Sequence, residues 1–412
     1  MTEMIGDGET MKRSTLFSLA TLLLAGGTSA SAQVPKINGL VQVWYSQMLD
    51  SNLRANSYSV APNSYYSMPG AFKENGFSIR RTEFKLSSDI VDGVSYEFVF
   101  DPIGGPTATN SKILQDGIIK YKAPGGIEIK LGQFRDQQTY EAITTPTAEL
   151  LLAERSMLAR VFGDVRDRGV TITVPFGSKD FGAKATVGVF NGAGKNTDDL
   201  NAQKDLVYRL DLNAGTDHKF GFYGLQGSTD KPDNGTLTGG TFAGPAGAVP
   251  TAAAVLGNKD KTSQIGAYYA YQTSSFHFSV DAISGQLGRR FPSLGGAPKR
   301  EHLDQKFLGY VLTGGYTTGN HSFLLRYDFL NYNQGNDWYT TSSPYISGVA
   351  DYTPKFNEVT AGYTYAFNPK SIKAANIKIN YIARSKNFLK PRGTQTGEQG
   401  GDTLVAAFQI AF

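Results

Sequence analysis

The 412-residue sequence has no cysteine, four histidines and two tryptophans. Without thiols there is no disulfide framework and no thiolate metal site, so the fold must rest on burial and backbone hydrogen bonds. One-sided charge is missing too. Two basic and three acidic residues fall in the first 32 positions, and the 38 basic and 33 acidic residues that follow give a formal charge of +5. That bias is too weak for a nucleic-acid partner. After residue 32 no apolar run approaches the roughly 18 to 20 residues of a spanning helix. No calcium, zinc or nucleotide motif is present, and the sequence implies no cofactor.

Glycine (47), phenylalanine (25) and tyrosine (22) are abundant instead. In a membrane barrel, side chains alternate between lipid and water, so mean hydropathy stays low while every second residue is apolar. A mean hydropathy of −0.28 is compatible with that location. The N-terminus reads as an export leader: Lys12 and Arg13 precede the mostly apolar stretch Ser14 to Thr28, and Ala30-Ser31-Ala32 supplies a small-x-small cleavage pattern. Residues 1–32 are expected to be a signal peptide and 33–412 the barrel. Met11, just before the basic pair, is an alternative start that would leave residues 1–10 untranslated.

Sixteen segments show period-2 patterning: 37–48, 77–89, 94–101, 113–122, 127–134, 168–175, 181–190, 206–213, 219–227, 263–272, 276–285, 306–315, 321–330, 357–367, 376–385 and 402–412. Val94/Tyr96/Phe98/Phe100 and Val359/Ala361/Tyr363/Tyr365 are clear examples. Connections after even-numbered segments are short and turn-like, as in Ala123-Pro124-Gly125-Gly126 and Ala214 to His218. Those after odd-numbered segments include the long stretches Leu49–Gly76, Arg135–Asp167, Ser228–Thr262, Gln286–Gln305, Asn331–Phe356 and Asn387–Gly401. This rhythm predicts an all-β, transmembrane, 16-stranded antiparallel up-and-down barrel in a Gram-negative outer membrane, with short periplasmic turns and long external loops. The last segment, with Leu404, Ala406, Phe408, Ile410 and Phe412 on one face, reads as the closing strand. Its terminal aromatic resembles the signal through which the barrel-assembly machinery recognises such chains; in the plainer reading Phe412 belongs to an aromatic girdle.

Five stretches carry a family resemblance: Arg80-Arg81, Leu131-Gly132-Gln133-Phe134, Glu154-Arg155-Ser156, Arg168-Gly169-Val170 and Gly188-Val189-Phe190-Asn191-Gly192. In this order they resemble the phosphate-selective porin O and P family. Arg326-Tyr327-Asp328 and the strand end Tyr365–Pro369 are consistent with it. The resemblance implies a 16-stranded pore that assembles as a homotrimer, for which outward aromatics such as Phe98 and Phe100 are eligible contacts. It leaves cargo open, because fold does not fix selectivity.

In a pore, the counterpart of an active site is the constriction. The segment Arg135 to Asp167 holds Leu150, Leu151, Leu152, Met157, Leu158 and Phe162 and is too apolar for solvent. It is expected to fold inward against the wall, with Thr145 as cap, Pro146 at a first helical position and helix formers from Ala148 to Phe162. Its arginines, Arg135, Arg155, Arg160, Arg166 and Arg168, stand among Asp136, Glu141, Glu149, Glu154, Asp164 and Asp167. They either line an anion path, since guanidinium matches phosphate oxygens, or pair with those acids and pin the loop.

Elimination assigns Arg81, Glu83, Lys85, Glu97, Asp116, Lys120, Glu128, Lys130, Lys184, Arg209, Asp211, Arg326, Asp328, Lys378 and Arg384 to the lumen. A Lys or Arg facing lipid at mid-depth costs about 2–4 kcal/mol. The cations among these, with Arg135, Arg155 and Arg160, are the candidate lumen and constriction residues. Mixed signs are not those of a strong anion filter, so the expected function is passive diffusion of small hydrophilic solutes and ions with modest anion preference. The alternatives are a surface receptor or adhesion barrel, whose binding segments would be Gly235 to Gly257 or Leu330 to Tyr352, and a barrel hydrolase. For a hydrolase only His277, near Ser275 and Ser279, offers an arrangement; His218 and His321 fall at turns and His302 in an external loop.

Overall fold

The computed structural model describes residues 34–49, 75–103, 113–178, 180–199, 203–228, 261–287, 305–331, 334, 355–384 and 402–412. The leader, His302, the stretch Gly235 to Gly257 and nearly all of Leu330 to Tyr352 lie outside the described residues. The first eight strands are β1 (Lys36–Met48), β2 (Gly76–Val91), β3 (Val94–Phe100), β4 (Leu114–Lys122), β5 (Glu128–Arg135), β6 (Arg166–Gly177), β7 (Phe181–Phe190) and β8 (Asp205–Ala214). The second eight are β9 (His218–Ser228), β10 (Lys261–Gln272), β11 (Phe276–Leu287), β12 (Gln305–Thr318), β13 (His321–Asn331), β14 (Lys355–Ala366), β15 (Ala375–Arg384) and β16 (Thr403–Ala411). Each pairs antiparallel with its sequence neighbours, and β1 pairs with β16, so the sheet closes on itself and has no free edge. All sixteen segments read from alternation recur, with ends within three residues of those expected. The linkers alternate as well: two to eight residues at one end of the barrel, 13 to 32 at the other.

The alternation has a direct physical reading. Ile119, Leu131, Ile172, Val187, Phe222, Ile265, Leu325 and Ile379 stand exposed on the outer wall, while their strand neighbours face the lumen. Rings gather at the short-turn end of that wall: Phe220 and Tyr269, Phe276 and Tyr316, and Phe323 and Tyr363 lie with centroids 5.0–5.3 Å apart. His218 and His321 share hydrogen bonds of 2.9 and 2.8 Å with the hydroxyls of Tyr269 and Tyr363, which places both histidines in this girdle. His277 bonds Thr317 Oγ1 at 3.1 Å.

Closure depends on two close approaches. At the seam the Gly39 and Phe412 backbones exchange hydrogen bonds of 2.8 and 3.0 Å. A Cβ on Gly39 would lie 2.3 Å from the Phe412 ring, so the terminal aromatic rests on bare backbone. Between β4 and β5, Gly132 has φ +126° and a Cβ there would sit 2.0 Å from the Gly117 carbonyl oxygen. The neighbouring motif residues finish this joint. Gln133 donates to the carbonyls of Leu114 and Gln115 at 3.0 Å each, and Phe134 meets Phe190 edge-on at 5.2 Å.

Candidate functional site in the barrel lumen

The 30 residues between β5 and β6 cross the barrel interior. Gln138 donates to the Gly224 carbonyl on β9 at 3.1 Å, and the Tyr140 N–H donates to Asp281 on β11 at 2.7 Å. Further on, Thr364 on β14 donates to the Leu151 carbonyl, the Ala153 N–H donates to Asn380 on β15, and Gln409 on β16 donates to the Ala148 carbonyl. Glu154 reaches β2. A segment bonded to strands all the way around a closed wall must run through its lumen.

The expected helix over Ala148 to Phe162 is a correction. The loop holds a five-residue helix α1 (Tyr140–Thr144), a 3₁₀ turn at Thr147–Glu149 and a short helical stretch from Met157 that winds as a π turn over Ala159–Gly163, with irregular backbone from Leu150 to Ser156. The wall takes the backbone groups a helix would use: Thr364 and Arg326 donate to the carbonyls of Leu151 and Glu154, while Asn380 and Asp328 accept from the N–H groups of Ala153 and Met157. Good helix formers therefore lose to tertiary partners. Pro146 precedes the 3₁₀ turn, and no side chain caps it. The apolar residues pack as expected: Leu152, Met157, Leu158 and Phe162 are buried, and the Phe162 and Phe307 rings stack at 4.6 Å.

The pair Arg80-Arg81 shows why strict alternation misleads here. Gln42 pairs with Arg81 but Val43 pairs with Ile79, so Arg80 is the extra residue of a β-bulge. Both guanidiniums then reach one carboxylate. Arg80 donates to Glu154 Oε2 at 2.9 and 2.5 Å, and Arg81 donates to Oε1 at 2.7 Å. Two stretches far apart in sequence thus form one clamp between wall and loop. On β14, Glu358 accepts from Arg160 at 3.0 Å and Arg384 at 2.9 Å, with Arg326 at 3.7 Å. Arg326 also pairs with Asp328 at 2.8 Å, and Lys378 donates to Gln409 at 3.1 Å. On β8, Arg209 pairs with Asp211 and donates to the carbonyls of Gln137 and Thr139, while Tyr223 donates to Asp281 at 2.7 Å.

Arg155 lies within the loop, 1% exposed, donating to the carbonyls of Glu141 and Thr145 and to Thr147 Oγ1 at 2.8–3.2 Å. Those bonds tie α1 to the 3₁₀ turn. Arg166 pairs with Asp116 and Asp164, and Arg168 with Asp198. Glu358, Asp281, Asn380, Thr364 and Gln409 were not singled out from sequence. Their signal was a polar residue alternating with outward apolar ones, as Glu358 precedes Val359.

Burial divides most of the lumen charges into two sets, with Arg81 on β2, buried in the Glu154 clamp, and Asp211 on β8, partly exposed, standing outside the division. Arg209, Asp281, Arg326, Asp328, Glu358, Lys378 and Arg384, on β8 to β15, are buried under the loop. Glu83, Lys85, Glu97, Asp116, Lys120, Glu128, Lys130 and Arg135, on β2 to β5, are only partly covered, as is Asp164 at the loop's end. Lys85 and Lys120 share Glu97 at 2.9 and 2.7 Å; Lys130 pairs with Glu128 at 3.0 Å and Arg135 with Asp164 at 2.7 Å. Lys184 is exposed on β7, opposite Asp211 in register.

Two loop carboxyls respond to pH in opposite senses. Burial pushes Glu154 up, but Arg81 and Arg80 more than offset it and hold the group well below the ordinary carboxylate range. Its contribution to docking is full above an unfolded pKa of about 4.3 and is lost as pH falls through the lower folded value. Burial, reinforced by Asp205 and Asp167, holds Asp136 well above the ordinary range, and its Oδ1 has no hydrogen-bond partner among the described residues. Ionised Asp136 therefore opposes docking at higher pH. The loop is expected to dock more firmly as pH falls towards the ordinary carboxylate range, where Asp136 takes up its proton, and to loosen only below about pH 4, where Glu154 begins to take up its own. Open-channel noise recorded across that range checks this, and loosening between pH 7 and 5 would contradict it.

A closed barrel with an apolar outer belt, an aromatic girdle and a charged lumen narrowed by a crossing loop is the architecture of an outer-membrane channel. The sequence matches the family described as phosphate-selective porin O and P over residues 70–412, and the chain belongs to that family. No curated protein matches it significantly. Among solved structures, it is similar to the outer membrane channel DcaP of Acinetobacter baumannii, with TM-score 0.58, 12% identity, and coverage of 94% of this chain and 100% of the other. An anion-selective porin from Comamonas acidovorans gives 0.51 at 12% identity, covering 92% and 99%. A loop-deletion mutant of OmpT from Vibrio cholerae gives 0.51 at 11%, covering 92% and 99%. These likenesses concern the fold. The protein is an outer-membrane porin.

Proposed function

We propose that this porin passes small hydrophilic solutes and ions by diffusion, without chemistry, along an off-centre path beside β2 to β5, with modest anion preference. The observation that carries this is the uneven cover: Arg209, Asp281, Arg326, Asp328, Glu358, Lys378 and Arg384 on β8 to β15 are buried under the loop, whereas Lys85, Lys120 and Lys130 retain partial exposure. Within the cluster of Lys85, Glu97, Lys120, Glu128 and Lys130 three lysines face two glutamates, a local positive excess, while Asp116 and Asp164 nearby are paired with Arg135 and Arg166 and Glu83 adds one more carboxylate. The Comamonas porin is described as anion-selective, the same sign. Arg81, Arg160, Arg209, Arg326, Lys378 and Arg384 act on this reading as anchors of the constriction, with Arg155 as an internal tie.

Planar-bilayer recording tests the proposal. We expect open channels whose reversal potential in a potassium chloride gradient favours chloride by a small factor, with weak inhibition by phosphate. Cation preference would reject the path, and absence of channels would reject diffusion altogether. The same reading includes removal of residues 1–32 on export, recognition of the strand ending at Phe412 by the barrel-assembly machinery, and a homotrimer embedded in outer-membrane lipid. N-terminal sequencing and the mass of the detergent-extracted particle test the first and third.

A further inference from the structure

The lysines beside the passage are not free. Glu97 and Lys85 lie on the inward faces of β3 and β2, because Phe98 and Phe84 beside them are exposed outward. Lys120 on β4 faces inward beside exposed Ile119, and Lys130 on β5 beside exposed Leu131. The register sets Lys120 directly opposite Lys130, a like-charge pair that a sheet disfavours. Glu97 offsets this from one side: its Oε2 accepts from Lys120 at 2.7 Å and from Lys85 at 2.9 Å. Glu128 offsets it from the other, bonded to Lys130 at 3.0 Å. One carboxylate oxygen therefore holds two ammonium groups whose side chains are 26% and 42% exposed.

We infer that Glu97 is the residue that sets the selectivity of this porin: it is a built-in counter-anion that occupies the position a passing anion would take between Lys85 and Lys120. This deepens the channel reading given above and rests on it. The physical case is one of competition. An ammonium beside a fixed carboxylate at hydrogen-bond distance presents little net field a few ångströms away, and a mobile anion must displace a tethered one to bind. With Glu97 neutral, the five-residue cluster of Lys85, Glu97, Lys120, Glu128 and Lys130 changes from three cations against two anions to three against one. Lys85 and Lys120 would then both point at the lumen without a partner on β3. One unit charge about 4 Å from a passing ion is worth roughly a five-fold change in its local occupancy in water.

The test uses the full-length porin refolded in planar bilayers, with Glu97→Gln, Glu97→Asp and Lys85→Met. Glu97→Gln keeps volume and hydrogen-bonding capacity, and each variant is first shown to migrate as a folded barrel on an unheated gel. We expect Glu97→Gln to raise the chloride-to-potassium permeability ratio about five-fold, to make the current sensitive to inorganic phosphate at lower concentration, and to lose both effects in high salt. Glu97→Asp retains the wild-type ratio and Lys85→Met lowers it. A residue that only braced the wall would change stability without moving the sign or salt dependence of selectivity. If folded Glu97→Gln channels keep the wild-type ratio, this inference fails while the channel reading stands. If the wild type opens no channels, both fail.

Discussion

Replacing Glu358 with leucine is expected to release the crossing loop from the β13 to β15 wall and to raise single-channel conductance. Glu358 is the carboxylate to which Arg160 and Arg384 bond and beside which Arg326 lies, all of them buried. Removing one partner of a buried ion pair costs about 3–5 kcal/mol, because the remaining charge is left in low dielectric. Here three guanidiniums gather around Glu358 and Asp328, so the substitution removes one of the two carboxylates in the cluster. The barrel itself stays closed, since its backbone ladders do not pass through that side chain. Undocking exposes Arg155 and Arg160 to solvent, and trypsin then cuts a chain that the wild type protects. Glu358→Gln, which keeps the shape and part of the hydrogen bonding, gives an intermediate result. Unchanged conductance and trypsin resistance in Glu358→Leu would mean that the cluster does not hold the loop.

The second large effect is on assembly. Gly132→Val is expected to abolish folding into a heat-modifiable barrel, because a Cβ would lie 2.0 Å from the Gly117 carbonyl and φ is +126°. Side chains in such backbone regions cost about 1–3 kcal/mol before any clash, and a β-branched residue is the hardest to place there. Two strands would have to part where β4 meets β5. Gly314→Val on β12 is the matched control, since a Cβ there meets nothing within 4 Å and its φ needs no left-handed conformation. The fraction of each variant that migrates as folded on an unheated gel reads the difference. Wild-type yield from Gly132→Val would remove the close-approach argument for this glycine.

Both effects depend on features of different legibility. Gly132 belongs to a motif visible in sequence, yet its reason, the Gly117 carbonyl on the neighbouring strand, requires the register. Arg80 was harder still. Period-2 counting sends Arg80 and Arg81 to opposite faces, and only the bulge that makes Arg80 the extra residue brings both to Glu154. The loop's apolar residues announced that it would pack, but its helix formers pointed to the wrong secondary structure between residues 150 and 156. Local preferences of a few tenths of a kcal/mol per residue yield to wall donors and acceptors at fixed positions. Glu358 and Asp281 were readable as inward polar residues but not as anchors, because their partners lie 198 and 141 residues away along the chain.

The sequence alone determined the barrel: sixteen strands, their order, the two kinds of linker and the two faces of the wall. Alternation and turns are local, and closing the sheet leaves one solution once every strand pairs with its neighbours. Tertiary structure decided the passage. Which charges are spent on pinning the loop and which stay beside the open path depends on where that loop lies, and its position is fixed by ion pairs between residues distant in sequence. The same composition of arginine, lysine and carboxylate is compatible with an anion filter or a neutral sieve. Here Glu97 between Lys85 and Lys120, and Glu154 between Arg80 and Arg81, tip the arrangement towards charge balance.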